Sequence, residues 1–407
     1  MGILNKRIKE VEKSEKKKTG KNSVCEATFC PTGIDLIDFQ GGTTSRGGYN
    51  IGLPMGKINL LIGHSQSGKT TLAIQAAANC AINMNGDVVI FDFERSSTDP
   101  RTRIKKICGI TDEQFDDTFT IFKQPNMTAD FVKSFIIKEI VASKKEMSKD
   151  EMIPWTNLDG EEILIYPPTI LIIDSISAIR TKEMLENPEM DTNMAGASIA
   201  KSNSNLITSI EPFLEAYNIS IIGIGHITTK ITINPYEPRK IQLPGLSDSE
   251  HIPGGNKFVY LASYVIKLSA GAEFKGDKDF KFQGRIVNAK LLKTRSGFNN
   301  VTLPLVYHSN LGFHNVLTNV MWAKSQSLLK GGGSKGFFLE NMPEIKFTQS
   351  QFIKTYRENA EFQKEFDEMM ESNYTQILDK KESESEYSDS PSPKKSSSDF
   401  DEEEFTD

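Results

Sequence analysis

The stretch "INLLIGHSQSGKTTLAIQAA" sets Gly63-x-x-x-x-Gly68-Lys69-Thr70 between an apolar run and a helix-forming run. Glycines at those two positions let backbone amides wrap a polyphosphate, and the amides opening the next helix donate to its oxygens. Lys69 would neutralise the β- and γ-phosphates, Thr70 would set its hydroxyl on Mg²⁺, and Ser65 and Thr71 border the same phosphates. The bland alternative is a chance glycine-rich turn. Two acids suit the same chemistry. "TILIID" is an apolar run ending in Asp174, where a carboxylate can hold the metal or its water; a helix N-cap would use the same residue type. "VVIFDFERSSTDP" sets Glu94 just past another run, with Asp92 two residues earlier on the same face. ATP hydrolysis needs a group that orients water in line with the γ-phosphate, and a carboxylate at a neighbouring strand tip fits that task. A solvated loop acid is the alternative. "SIIGIGHITTK" carries His226 to the tip of a fourth run, ahead of a long, polar, basic segment. A histidine at a strand end is ordinarily satisfied by a carbonyl.

The elements that must position these residues alternate. INLLI, DVVIFDF, TILIID and ISIIGIG read as buried strands, with TTLAIQAAANCAI and further helical stretches between them. That order predicts an α/β fold with a mostly parallel sheet flanked by helices. VYLASYVIKLSA, GRIVNAKLLKT and NVTLPLVYH predict an antiparallel extension. The expected organisation is a basic N-terminal arm over residues 1–27 serving oligomerisation, a core over 28–330, a helical region over 331–380 and a disordered acidic tail over 381–407. LLKGGGSKG reads as a loop or hinge near residue 330. Residues 143–168 read as an insertion containing Trp155.

The chain has 407 residues, 38% of them hydrophobic and 25% charged, as expected of a soluble protein with a substantial core. No apolar run is long enough to span a bilayer. The N-terminus lacks the apolar stretch of a secretory signal, and Lys6 stands where a myristoylation motif needs Ser or Thr. Cys25, Cys30, Cys80 and Cys108 form no C-x-x-C pair, so a zinc ribbon is disfavoured and free thiols in a cytoplasmic setting are expected. The net charge of −6 is segregated. Residues 381–407 hold ten acids against three lysines, which leaves the body near +1 and open to an anionic partner.

Taken together, these residues resemble the RecA family of strand-exchange ATPases. "TGIDLID" followed by "GLPMGKINLLIGHSQSGKTTL" is similar to the family's phosphate-binding block. "FDFERSSTDP" resembles its second strand, "TILIIDSISAI" its Walker B strand, and "GGNKFVYLASYVIKL" the block after its second DNA loop. The resemblance covers about residues 30–310. A histidine at the position of His226, and Lys293 and Arg295 in "LLKTRSG", resemble the UvsX-type recombinases of large bacteriophages. The resemblance implies a RecA-like P-loop ATPase core with ATP and Mg²⁺ as cofactors. It implies Glu94 as the catalytic carboxylate, Lys69 and His226 as its companions, and Thr70 and Asp174 at the metal. Asp99 would sit by the nucleotide, while Lys293 and Arg295 would reach ATP on the adjacent subunit of a helical filament. The extra residues between Glu94 and Gly109-Ile110 depart from the family pattern, and residues 143–168 have no counterpart in it.

A protein that grips single-stranded DNA while leaving bases free to pair needs amides, cations and apolar wedges. The resemblance places a first DNA loop after Asp174, with Met194 as wedge and Lys201 for phosphate; helix packing is the alternative for Met194. Ile199 stands near where the family has an arginine. A second loop over residues 227–253 holds Lys230, Ile231, Tyr236, Arg239 and Lys240, and is longer than an ordinary connection. Gly254, Gly255 and Asn256 open a helix whose amides suit a DNA phosphate. The acidic tail, with Phe400 and Phe405, either competes with DNA for the body's basic surface or keeps the chain soluble. The leading expectation is a DNA-dependent ATPase that pairs single-stranded with homologous duplex DNA, works with single-strand-binding and loader proteins and involves no membrane. A ring-forming helicase motor and a non-catalytic accessory paralogue are the alternatives.

Overall fold

The computed structural model describes residues 28–45, 48–95, 98–157, 160–187, 189, 192–229, 242–247, 249–275, 283–294 and 301–386. After a short helix α1 (Asp35–Gly41), the apolar run becomes strand β1 (Ile58–Gly63), every residue of it buried, and feeds helix α2 (Lys69–Asn83). Next come β2 (Asp87–Asp92), α3 (Pro100–Cys108), β3 (Phe119–Phe122) and β4 (Thr169–Asp174). Helix α4 (Thr192–Ala216) leads to β5 (Ile219–His226), and a small hairpin of β6 (Thr228–Thr229) and β7 (Glu250–His251) follows. The core closes with α5 (Asn256–Leu261), β8 (Tyr264–Lys275), β9 (Gln283–Lys293), β10 (Val301–His308), β11 (Gly312–Phe313) and α6 (Asn315–Ser325).

The strands form one nine-stranded sheet in the order β11-β10-β9-β8-β1-β5-β4-β2-β3. From β8 to β3 every pairing is parallel; from β8 to β11 every pairing is antiparallel. Parallel strands need crossovers over the faces, so both faces are covered and the central strands are predominantly apolar. One face packs on the alanine side of α2, with Ala73, Ala77 and Ala81, and on α6. The other packs on Leu206, Ile207 and Ile210 of α4 and on Phe258 and Val259 of α5. Asp174 aligns with Asp92 on one side and Ile224 on the other, and His226 aligns with Gly63. The carboxyl ends of four adjacent strands therefore share one edge, where open α/β sheets bind ligands.

Several expectations change. Strand β3 was hidden in a stretch read as helical, because "FTIF" is too short to show a period. The "VYL" of "VYLASYVIKLSA" ends α5, and the strand begins only at Tyr264. The 143–168 insertion is folded: Ile153–Thr156 pairs antiparallel with Glu162–Ile165, setting Trp155 opposite Ile163. The region from 331 is not helical at its start. Lys330–Gly331, Phe337–Leu339 and Met342–Phe347 form a three-stranded antiparallel sheet, and positive φ angles at Gly331, Gly332, Gly333 and Gly336 make the reversal at "GGGSKG". Helices Phe352–Glu358 and α7 (Ala360–Glu386) follow. The expected boundary at 380 falls inside α7. Its buried Phe362, Phe366, Met370, Tyr374 and Leu378 repeat every four residues, one stripe of a helix. Tyr374 stacks on Phe39 of α1 and on Trp322 of α6, which docks this region on the core.

The expectation of four free thiols is corrected as well. Cys30 and Cys80 are joined as a disulfide with Cα atoms 5.6 Å apart, while Cys108 is free. A separation of 50 residues hid the pairing, which arises because the segment before α1 lies against α2. Among the described residues no helix is long and apolar enough to cross a membrane.

Candidate functional site

The glycine-rich turn between β1 and α2 builds the floor of the site. Gly68 has φ +91, and a Cβ there would meet the Phe313 ring at 2.9 Å, so glycine is required on both counts. Lys69 Nζ donates to His64 O at 2.7 Å, across the turn. Burial lowers the Lys69 pKa, and the carboxylates of Asp174 and Glu94 oppose that shift. Thr70 Oγ1 donates to Asp174 Oδ2 at 2.7 Å, bringing the two expected metal-side oxygens together. Asp174 is 4% exposed; burial pushes its carboxyl up to about 6 against the Thr70 bond, with Glu94 and Asp92 adding to the rise.

Glu94 reaches the site because the backbone after β2 crosses over the end of β4. The amides of Phe93 and Glu94 donate to Asp174 O at 2.7 and 3.2 Å. The amide of Arg95 returns to Asp92 Oδ1 at 2.7 Å. The Asp174–Ser175 peptide is cis. His226 Nε2 stands 2.8 Å from Glu94 Oε1. That hydrogen bond is the main reason the Glu94 carboxyl is held below its ordinary value, against its partial burial. Lys69, Thr70, Glu94, Asp174 and His226 thus converge. Gly63, Ser65, Gly68 and Thr71 form and border the turn.

Mg²⁺ takes few protein oxygens and completes its shell with phosphate and water. Thr70 Oγ1 and the Asp174 carboxylate fit that pattern. Among the described residues no cluster of three or more His, Cys, Asp or Glu side chains could hold a metal without phosphate.

Sequence reasoning missed Arg285 and Tyr307 beside the turn, and named Arg103 only as the end of the stretch from Asp99 near the nucleotide. Arg103 Nη2 lies 3.2 Å from Thr71 Oγ1 and borders a cavity of about 30 Å³ shared with Thr70, Asp92 and Asp174. Arg285 donates to the carbonyl of Gln66 and lies over the Tyr307 ring at 5.1 Å. An arginine three residues past Pro100 was a usable signal; Arg285 and Tyr307, on the antiparallel strands, gave none. Asp99 is the N-cap of α3, accepting from the amide of Thr102 at 3.1 Å. Lys293 Nζ donates to the carbonyls of Val259 and Tyr260 at 3.1 and 2.9 Å, at the end of α5.

For the DNA-side candidates, Met194 is 61% exposed near the start of α4, so it does not serve the core. Lys201 is exposed on the same helix. Gly254 and Gly255 have φ of +102 and +94, and a Cβ on Gly254 would meet the carbonyl oxygen of Ile176 at 2.8 Å. Asn203 fastens this corner, donating to the carbonyls of Ile176 and Gly254 at 2.9 and 2.7 Å. Asn256 opens α5 and accepts from Gln242 Nε2 at 2.6 Å. His226 ends β5, and the chain just beyond it pairs with Glu250–His251 through Thr229, so the expected second loop begins with a short hairpin stem. Lys230, Ile231, Tyr236, Arg239, Lys240 and Arg295 lie outside the described residues, as do the arm over 1–27 and the tail from 387.

A polyphosphate-wrapping turn, a hydroxyl–carboxylate pair and a second carboxylate at one edge of a helix-covered parallel sheet are consistent with a nucleotide-binding ATPase core of the RecA/AAA type. Comparison with known proteins agrees with that class: the family described as AAA domain matches residues 37–203. The chain is also similar, at low identity, to bacterial RecA. It is 22% identical to Protein RecA of Francisella philomiragia over 326 residues, 80% of this chain and 75% of that protein. Protein RecA of Francisella tularensis subsp. tularensis (strain WY96-3418) is 23% identical over the same shares.

Proposed function

We propose that this chain is an ATP-dependent DNA strand-exchange recombinase of the UvsX type, assembling as a filament on single-stranded DNA. The observation that carries the reading is the 2.8 Å bond between His226 Nε2 and Glu94 Oε1. It ties the water-orienting carboxylate to the strand that leads into the expected second DNA loop. The RecA similarity over 80% of the chain supports the same reading.

In this mechanism Lys69 neutralises phosphate charge, and the P-loop amides hold the β- and γ-phosphates in line. Thr70 and, through water, Asp174 would hold Mg²⁺, which would supply neutralisation of phosphate charge. Glu94 orients the attacking water and takes its proton on a carboxylate oxygen. His226 keeps Glu94 ionised, and exchanging that bond for one to the γ-phosphate would pass nucleotide state to the hairpin two residues on. Lys293 and Arg295 complete the site from the neighbouring subunit, which couples hydrolysis to assembly. Met194, Lys201 and the Gly254–Gly255–Asn256 corner face the DNA.

The test is strand exchange between a single strand and a homologous duplex with ATP, with Lys69→Ala as control. Electron microscopy of the same mixture should show helical filaments. Closed rings without strand exchange would instead support a helicase motor.

A further inference from the structure

The hairpin of β6 and β7 has a second attachment that the Glu94–His226 bond does not explain. Glu250, on β7, receives two bonds from Lys267 Nζ, each 2.7 Å. Their side chains are 13% and 19% exposed, so water screens this pair only partly. The amide of Ser247 also donates to Glu250 Oε2, at 2.9 Å. Lys267 lies on β8 in register with Ile62, one residue before the P-loop. On its other side, Glu250 Oε1 is 4.0 Å from His64 Nε2, in the P-loop itself. The carbonyl of that same His64 accepts from Lys69 Nζ at 2.7 Å.

One residue therefore touches the phosphate-binding ammonium with its backbone and approaches the hairpin carboxylate with its ring. A triphosphate recruits the Lys69 ammonium, so any move of Lys69 toward phosphate acts on His64 first. A displaced His64 ring changes its distance from Glu250, whose carboxylate is pinned by Lys267 and Ser247.

We infer that His64 and Glu250 form a second route from the phosphate pocket to the β6–β7 hairpin, running along the P-loop side of the site. Glu250 is a positioning residue: it acts through His64 and Lys267. That the hairpin serves DNA rests on the function proposed above; the route itself does not.

The experiment reads the route without DNA. Deuterium exchange is followed over residues 228–229 and 250–251 in the full chain, with and without saturating Mg²⁺–ATPγS. In the wild type, ATPγS is expected to change hairpin exchange by about five-fold or more, the lower end of ordinary site-to-site coupling. Glu250→Gln should bind ATPγS and keep only the part of that response carried through His226. His64→Ala, compared at saturation of its own binding curve, should show the same reduced response, and the double variant should lose no more than either single. Exchanging the charges, Glu250→Lys with Lys267→Glu, restores the ion pair but sets a cation opposite His64. It should recover wild-type exchange without nucleotide and still give only the reduced response. The inference is overturned by a wild-type hairpin indifferent to ATPγS, or by a normal response in Glu250→Gln or in the charge exchange. DNA-stimulated ATP turnover, measured on the same samples, separates the two ideas. A responding hairpin with no DNA stimulation sinks the recombinase reading and leaves the route standing.

Discussion

His226 Nε2 lies 2.8 Å from Glu94 Oε1, so the tips of β5 and β2 are bonded across the end of β4, the strand between them. His226→Ala should keep ATP binding, since Lys69 and the P-loop amides are untouched, but DNA should no longer stimulate turnover. A pH effect follows with a definite sign. The His226 bond lowers the Glu94 pKa, so its loss lets that pKa rise. The ionised base then disappears at a higher pH, and the acid limb of the kcat profile moves up. A profile superimposable on the parent's would return His226 to an ordinary strand-end role.

Glu94→Gln should retain nucleotide binding and lose turnover. General-base groups are worth about 10²–10⁴-fold, and glutamine keeps the size and one hydrogen-bond acceptor while losing the basicity. Equilibrium binding of a fluorescent ATP analogue and steady-state phosphate release separate the two effects. Parental turnover in this variant would mean that another group orients the water.

What the sequence showed, and what it hid, divides by the range of the interactions involved. The P-loop, Asp174, Glu94 and His226 were legible because each closes an apolar run, and parallel strands bring their carboxyl ends to one edge. The Cys30–Cys80 pairing, the Arg285 contact with Gln66 and the Lys267–Glu250 pair were not legible. Each joins elements distant in sequence or across strands whose register no local pattern fixes. The C-terminal sheet was missed for a related reason: its strands are at most six residues long, and glycine-rich "GGGSKG" reads as a loop or hinge without showing that it joins two paired strands. Asp99, an acid just before a proline, caps α3, a role compatible with the nucleotide contact expected of it.

The Cys30–Cys80 link predicts a redox-dependent stability. Both residues are buried, at 1% and 3% exposure, and the link closes a loop across α2. Alkylation in denaturant without reductant should leave two cysteines unlabelled. Reductant or Cys80→Ser should lower unfolding stability by about 2–4 kcal/mol, read from urea denaturation. Labelling of all four cysteines without reductant would show that the chain carries free thiols.

The last prediction concerns Asp38, on α1 beneath the C-terminal helices. Burial pushes its carboxyl up to about 7, although Thr32 donates to it through both amide and hydroxyl, at 2.8 and 2.7 Å, and Gly33 donates at 3.2 Å; nearby Asp35 adds to the rise. Asp35 itself accepts from Asn315 and Asn319, and Tyr374 of α7 donates to Asn319, so the acids lie under the joint between α6 and α7. A raised carboxylate pKa means that the folded state binds a proton the unfolded state has already released. Stability from this group is complete below the unfolded value of 3.8 and is lost as pH rises toward about 7. The slope it contributes is at most about 1.4 kcal/mol per pH unit. Asp38→Asn keeps an oxygen for the two Thr32 donors, loses the Gly33 bond and cannot ionise. It should start less stable than the parent at pH 4 and lose less on the way to pH 7, narrowing the gap. Urea denaturation at several pH values measures both slopes; equal slopes would mean that Asp38 ionises in the folded chain as easily as in the unfolded one.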